Sequence, residues 1–153
     1  MRKDIKEILT TFFEQVENDN QTTSNFPSVY SGLEMKVGFG YGRTAKIPWI
    51  TFLGKEQSPQ NGIFPVFYFF KEHQKLILAF GISETEKPNK SWFADSSIKT
   101  ISQYFHQFGI VPYKYGLSYV YHVYDTKENL EWEIIEMDLD SLIKKYKTIL
   151  EIK

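Results

Sequence analysis

The chain contains no cysteine, which excludes a disulfide framework, a thiolate zinc site and a cysteine nucleophile. No run of about 18 apolar residues occurs, so no membrane-spanning helix and no membrane partner are expected. Met1-Arg2-Lys3-Asp4 leads into an amphipathic pattern rather than a signal peptide, and a cytoplasmic protein is the expectation. The three histidines, His73, His106 and His122, lack the i, i+4 spacing of a metal-binding helix. There is no Gly-x-Ser-x-Gly elbow. The glycine run at 38–42 lacks the Gly-Lys-Ser/Thr ending of a phosphate loop, and the strand pattern after it excludes a dinucleotide fingerprint. Neither charge sign dominates: 18 Lys+Arg stand against 19 Asp+Glu, a balance that does not advertise a nucleic-acid binder. The balance is uneven along the chain. Residues 125–153 carry eight acidic side chains and five lysines, and residues 1–124 carry 13 basic and 11 acidic ones.

What is abundant is aromatic. Of 153 residues, 17% are Phe, Trp or Tyr and 42% are hydrophobic, a composition that buries a core and excludes a disordered chain. The length fits one domain over residues 1–153, with no repeat or linker. Ile5, Ile8, Leu9, Phe12, Phe13 and Val16 form the stripe of a helix over 4–19. Leu33–Phe39, Ile47–Leu53, Ile63–Phe70 and Leu76–Ile82 read as strands with short connections. Asp95 or Ser96 is the expected cap of a helix carrying Ile98, Ile101, Phe105 and Phe108, closed by Gly109. Leu117–Tyr124 reads as another strand, and Leu139 to Leu150 as a final amphipathic helix; residues 125–137 give no pattern. The order predicts one mixed α/β (α+β) domain, a curved, mostly antiparallel or mixed sheet flanked by three helices.

Two features carry chemistry. Glycines at alternate positions 38, 40 and 42 make a flexible turn with Tyr41 at its tip and Arg43 at its end. Such a tip can wedge a ring between stacked bases while an arginine meets phosphate, or it can be a hairpin whose Tyr41 folds onto the core. On the next strand Ile47, Trp49 and Thr51 share a face; on the one after, Phe64, Val66, Tyr68 and Phe70 do. If these strands pair, Trp49 stands beside an aromatic face able to stack a flat heterocycle, or simply to pack a core. Glu34 and Lys36 have the Glu-x-Lys spacing of some metal-dependent nucleases, a triplet common by chance. Asp138 and Asp140 read as helix-capping rather than cation-binding residues.

At these residues the sequence resembles the N-terminal DNA-binding domains of the McrB family, the GTPase subunits of McrBC-type modification-dependent restriction systems. The matching stretches are Phe-Gly-Tyr-Gly (39–42), Ile-Pro-Trp (47–49), Phe-Leu-Gly (52–54), Asn-Gly-Ile-Phe-Pro-Val (61–66), Gly-Ile-Ser (81–83) and Lys-Tyr-Gly (114–116), with Pro27 to Tyr30 fitting Pro-x-x-Tyr. The resemblance implies a non-enzymatic reader of duplex DNA in which a purine precedes a methylated cytosine, working by base flipping. It implies Tyr41 as the wedge, and Trp49, Phe64, Tyr68 and Tyr115 as the pocket for the modified base. Gly40, Gly42, Arg43 and Lys46 are the expected backbone or groove contacts, by their position near the finger. It implies no cofactor in this domain, GTP and magnesium acting in further parts of a longer subunit, and a McrC-like nuclease partner. Phe64 and Tyr68 depart from the best-known member, which has Tyr and a smaller aliphatic residue there; a tighter pocket is the expectation. Readers of unmodified sequence on the same scaffold, and a protein-interaction module using the aromatic patch, are the alternatives.

Overall fold

The computed structural model describes residues 4–40, 43–92 and 97–151. Six strands form one sheet in the order β1-β2-β3-β4-β5-β6, every neighbouring pair antiparallel. They are β1 (Val29–Tyr30), β2 (Leu33–Gly38), β3 (Trp49–Leu53), β4 (Ile63–Phe70), β5 (Lys75–Ile82) and β6 (Tyr119–Asp125). Among the described residues three α-helices, α1 (Ile5–Glu17), α2 (Ile101–His106) and α3 (Trp132–Leu150), and a 3-10 turn at Lys71–His73 complete the domain. The fold is the expected mixed α/β domain, with the sheet wholly antiparallel.

Alternation along β4 fixes the layers. Phe69 and Phe70 point to opposite faces. Phe69 meets Phe12 and Phe13 of α1, with ring centroids 6.3 and 5.0 Å apart, and Phe70 meets Phe105 of α2 at 4.9 Å. Helix α3 shares the α1 face: its Tyr146 lies 5.5 Å from Trp92, which packs on Phe80 at 5.0 Å. One face of the sheet therefore carries the long helices α1 and α3. The other carries α2 and the segment leading to β6, both within the connection between β5 and β6.

Local chemistry explains the elements and the departures. Asp4 starts α1 by accepting the Glu7 N–H at 2.9 Å. β1 is a strand with no signature in the sequence; it pairs Tyr30 with Leu33 across Ser31 and Gly32, whose φ values of 50° and 79° suit a tight hairpin turn. Helix α2 starts later than expected. Thr100 caps it, accepting from the Gln103 N–H at 3.1 Å while the Gln103 side chain accepts from the Thr100 N–H at 2.8 Å. Ile98 precedes the helix, Phe108 follows it 59% exposed, and Gly109 turns the chain at φ 71°. The expected caps Asp95 and Ser96 lie outside the described residues. Helix α3 begins at Trp132, inside the stretch that showed no pattern, without a side-chain cap; its buried stripe is Ile135, Leu139, Leu142, Ile143 and Tyr146. β6 begins at Tyr119 rather than Leu117, because Ser118 closes a turn on the Tyr115 carbonyl and leaves Leu117 64% exposed.

Candidate functional site

β3 and β4 pair as the alternation requires: Trp49 lies opposite Tyr68, and Thr51 opposite Val66. Trp49 is also the register partner of Gly38 at the end of β2. The glycine is needed there, because a Cβ at 38 would land on the indole. On the far side of β4, Gly81 is opposite Phe64, and a Cβ at 81 would strike the Phe64 ring and carbonyl. Two close approaches thus seat two rings on one face of the sheet.

A cavity of about 340 Å³ opens on this face, lined by Trp49, Thr51, Pro59, Gln60, Phe64, Tyr68, Ile82, Glu84, Thr85, Lys114 and Tyr115. That volume is at the small end of the range for ligand pockets. Trp49, Phe64, Tyr68 and Tyr115, the four aromatic residues singled out in the sequence, come together here. Their roles in the cavity differ. The Tyr115 ring stacks on Tyr68 with centroids 4.2 Å apart and planes at 11°. Tyr68 and Phe64 are each 2% exposed, whereas Trp49 and Tyr115 are half-buried, so the accessible aromatic surface belongs to the latter pair. A side-chain interaction with Trp49 pulls the Tyr115 phenol down, against a larger upward push from burial. Burial raises the Tyr68 phenol far above its ordinary pKa, with a hydrogen bond from Ser118 opposing the shift. Burial also raises Tyr115, and the negative charge of Glu84 adds to it.

Tyr115 holds a left-handed backbone conformation, φ 68°, which is unfavourable for a side chain of this size. Its surroundings fix it: its N–H donates to Glu84 Oε1 at 3.1 Å, its carbonyl accepts from the Ser118 N–H at 3.3 Å, and the Gly116 carbonyl accepts from the Ser102 N–H of α2 at 3.1 Å. Two loops make the rim. Ser83 joins them, its hydroxyl accepting from the Gly62 N–H at 3.0 Å and donating to the Glu86 carbonyl at 2.6 Å. The Glu86 N–H donates to the Gln60 carbonyl at 3.0 Å.

Thr51 is the anomaly. It is 1% exposed, and its hydroxyl oxygen has no hydrogen-bond partner among the described residues. An unsatisfied buried hydroxyl costs about 1–3 kcal/mol, so the position would be more stable as an apolar residue of the same shape.

The glycine-rich loop leaves β2 beside Trp49. Phe39, buried against Phe12 and Phe26, anchors its start, and Ile47, also buried, anchors its end. The Ala45 N–H closes the loop on the Phe39 carbonyl at 2.8 Å. Gly40 takes φ 99°, and a Cβ there would collide with the Arg43 carbonyl. Tyr41 and Gly42, the tip, lie outside the described residues. Arg43 and Lys46 are exposed, and Lys46 Nζ sits 4.6 Å above the Tyr113 ring, bordering a smaller cavity of about 210 Å³. Val111, Tyr113 and Leu117 on the same connection are 90%, 65% and 64% exposed.

Elsewhere, a hollow of about 570 Å³ between the N-terminal ends of α1 and α3 is lined by Asp4, Glu131, Glu133 and Glu136 among others. Glu34 and Lys36 are exposed on β2, and among the described residues no three His, Asp or Glu side chains group so as to hold a metal. Asp138 accepts from the Tyr124 hydroxyl at 2.5 Å and lies 3.1 Å from His122 Nδ1 rather than capping α3. No helix among the described residues is long and apolar enough to cross a membrane. Of the cavity residues that sequence reasoning did not assign to it, Thr51 had a signal, its shared face with Trp49. Gln60, Glu84, Thr85 and Lys114 lie in connections, where no periodicity points inward.

The MrcB-like, N-terminal domain family matches residues 1–114. Over 141 residues the chain is 38% identical to the type IV methyl-directed restriction enzyme EcoKMcrB subunit of Escherichia coli K12. That alignment covers 90% of this chain and 31% of the relative, so the chain spans about a third of the relative's length.

Proposed function

The chain belongs to the MrcB-like N-terminal domain family, and from that premise we propose that it is the DNA-reading module of a methyl-directed restriction system. It binds duplex DNA in which a purine precedes 5-methylcytosine and flips the modified base into the cavity at Trp49 and Tyr115. The observation that carries this reading is the cavity itself: an aromatic-walled space for one flat ring, opening next to the glycine-rich finger loop. The relative from Escherichia coli, a methyl-directed restriction enzyme subunit, supports the choice of ligand.

The chemistry follows from the residues. Flipping a base costs a few kcal/mol of unstacking and unpairing. Stacking on an aromatic wall returns about 1–3 kcal/mol per base, and Tyr41 entering the vacated stack supplies a second contact. Arg43 and Lys46, flanking the finger, neutralise phosphate. The domain itself performs no bond chemistry; GTP hydrolysis with magnesium belongs to other parts of a longer subunit, and cleavage to a McrC-like nuclease partner.

The test is a titration at fixed salt with matched duplexes, unmodified or carrying 5-methylcytosine after a purine, and 2-aminopurine beside the site to report unstacking. Methylation-dependent binding with a fluorescence rise is expected, and Tyr41→Ala should abolish the rise. Binding that ignores methylation would replace this reading with one of unmodified sequence. A tight protein complex with no DNA response would replace it with an interaction module.

A further inference from the structure

The geometry points to Thr51 and Glu84 as the hydrogen-bonding pair that reads the edge of the flipped base and tells cytosine from thymine. This inference rests on the base-flipping reading above and extends it to named atoms. The problem it addresses is chemical. Thymine and 5-methylcytosine share their ring and methyl group, so aromatic walls hold both equally. They differ only along the pairing edge, where cytosine has an amine at position 4 and an acceptor at N3, and thymine has a carbonyl and an N–H. Discrimination therefore needs polar groups inside the cavity.

Two side chains there have unused capacity of the right kind. Thr51 lines the cavity from β3 with a buried hydroxyl that has no partner among the described residues. Such a group has a donor to offer the acceptor edge of a pyrimidine. A valine would fill the same space without an orphaned oxygen, so packing does not account for the threonine. Glu84 lines the rim and is tethered by one carboxylate oxygen to the Tyr115 N–H at 3.1 Å, leaving the second oxygen for a ligand. A carboxylate accepts from the cytosine amine and repels the thymine carbonyl. The Ser83 hydrogen bonds that join the rim loops hold Glu84 in place beside Tyr115. Donor from the strand and acceptor from the rim together complement cytosine.

The test compares duplexes carrying 5-methylcytosine or thymine opposite an abasic site, so that neither base has a pairing partner to lose. The wild-type chain should prefer 5-methylcytosine about tenfold or more. Thr51→Val should melt at or above the wild-type temperature while binding 5-methylcytosine about fivefold more weakly. Glu84→Gln, which keeps an oxygen for the Tyr115 N–H, should bring the ratio of the two bases near one. Glu86→Gln, on the same loop but outside the cavity lining, should change neither quantity. The assignment is overturned if Thr51→Val binds as the wild type, or loses stability and affinity together, or if Glu84→Gln keeps the full preference. If the wild-type chain ignores methylation and gives no 2-aminopurine signal, the base-flipping reading fails and takes this one with it. If the wild type passes both and the variants behave like it, only the edge-reading pair is lost.

Discussion

Trp49 is half-buried and packs so closely on Gly38 that a Cβ there would strike the indole. A ring held that firmly offers a pre-oriented surface, so stacking on it sacrifices little rotamer freedom. Trp49→Ala should therefore lower affinity for methylated duplex about tenfold or more, in line with 1–3 kcal/mol per stacked base. The titration of unmodified duplex under the same conditions checks that the loss is specific to the flipped base. Equal losses on both would make Trp49 a structural residue only. The neighbourhood of Trp49 and Tyr68 was legible in the sequence because alternation dictates which side chains share a face. That Tyr115 would cover Tyr68 was not: the stack depends on a left-handed backbone at 115, and no pattern in Pro112 to Gly116 predicts it. Glu84 was hidden for the same reason, since a loop position has no periodicity to reveal its direction.

Helix α2 has six residues and leans on its cap. The reciprocal bonds of Thr100 and Gln103 satisfy two N–H groups at its start. Thr100→Ala should destabilise the domain by about 1 kcal/mol, read as a lower urea midpoint. Because the Ser102 N–H of this helix holds the Gly116 carbonyl, the same change should loosen Tyr115 and weaken methylated-DNA binding beyond its effect on stability. Unaltered binding would show that the Tyr115 segment stands without α2. The capping box was legible only in hindsight of its position: Asp95 and Ser96 offered equally good cap chemistry upstream, and burial of Ile101 and Phe105 favours the later start. The start of α3 had no such signal, because Glu131 makes no capping hydrogen bond and Trp132 and Ile134 face the hollow beside α1. The two-residue β1 is set by its hairpin partner β2 rather than by its own composition.

Across the whole molecule, burial keeps the phenols of Tyr68, Tyr124 and Tyr146 protonated well above the ordinary tyrosine range. In the unfolded chain these groups lose their protons near pH 10. Their folded pKa values are raised, so the stability linked to them is fully present below about pH 10 and is lost as pH climbs beyond it. The urea midpoint should be flat from about pH 7 to 9 and fall above 10, with tyrosinate absorbance from these groups appearing together with unfolding. A tyrosinate signal from all ten tyrosines ahead of unfolding would contradict it. Among the described residues Lys114 is the cation in the cavity lining, and Arg43 and Lys46 stand on the finger loop. Three phosphate contacts would give a slope of log affinity against log salt of about −3, and a slope near −8 would require a larger contact surface. A mostly antiparallel set of strands was readable from the short connections, but β1 was not, and the long passage from β5 to β6 left open which face α2 would cover. That passage puts the cavity on one side of the sheet and α1 and α3, which together carry seven acidic side chains against four lysines, on the other. A net charge of −1 conceals this separation. In the field of a polyanion the molecule experiences a torque as well as a weak net force, which turns its helical back away and brings the open face round before the surfaces touch.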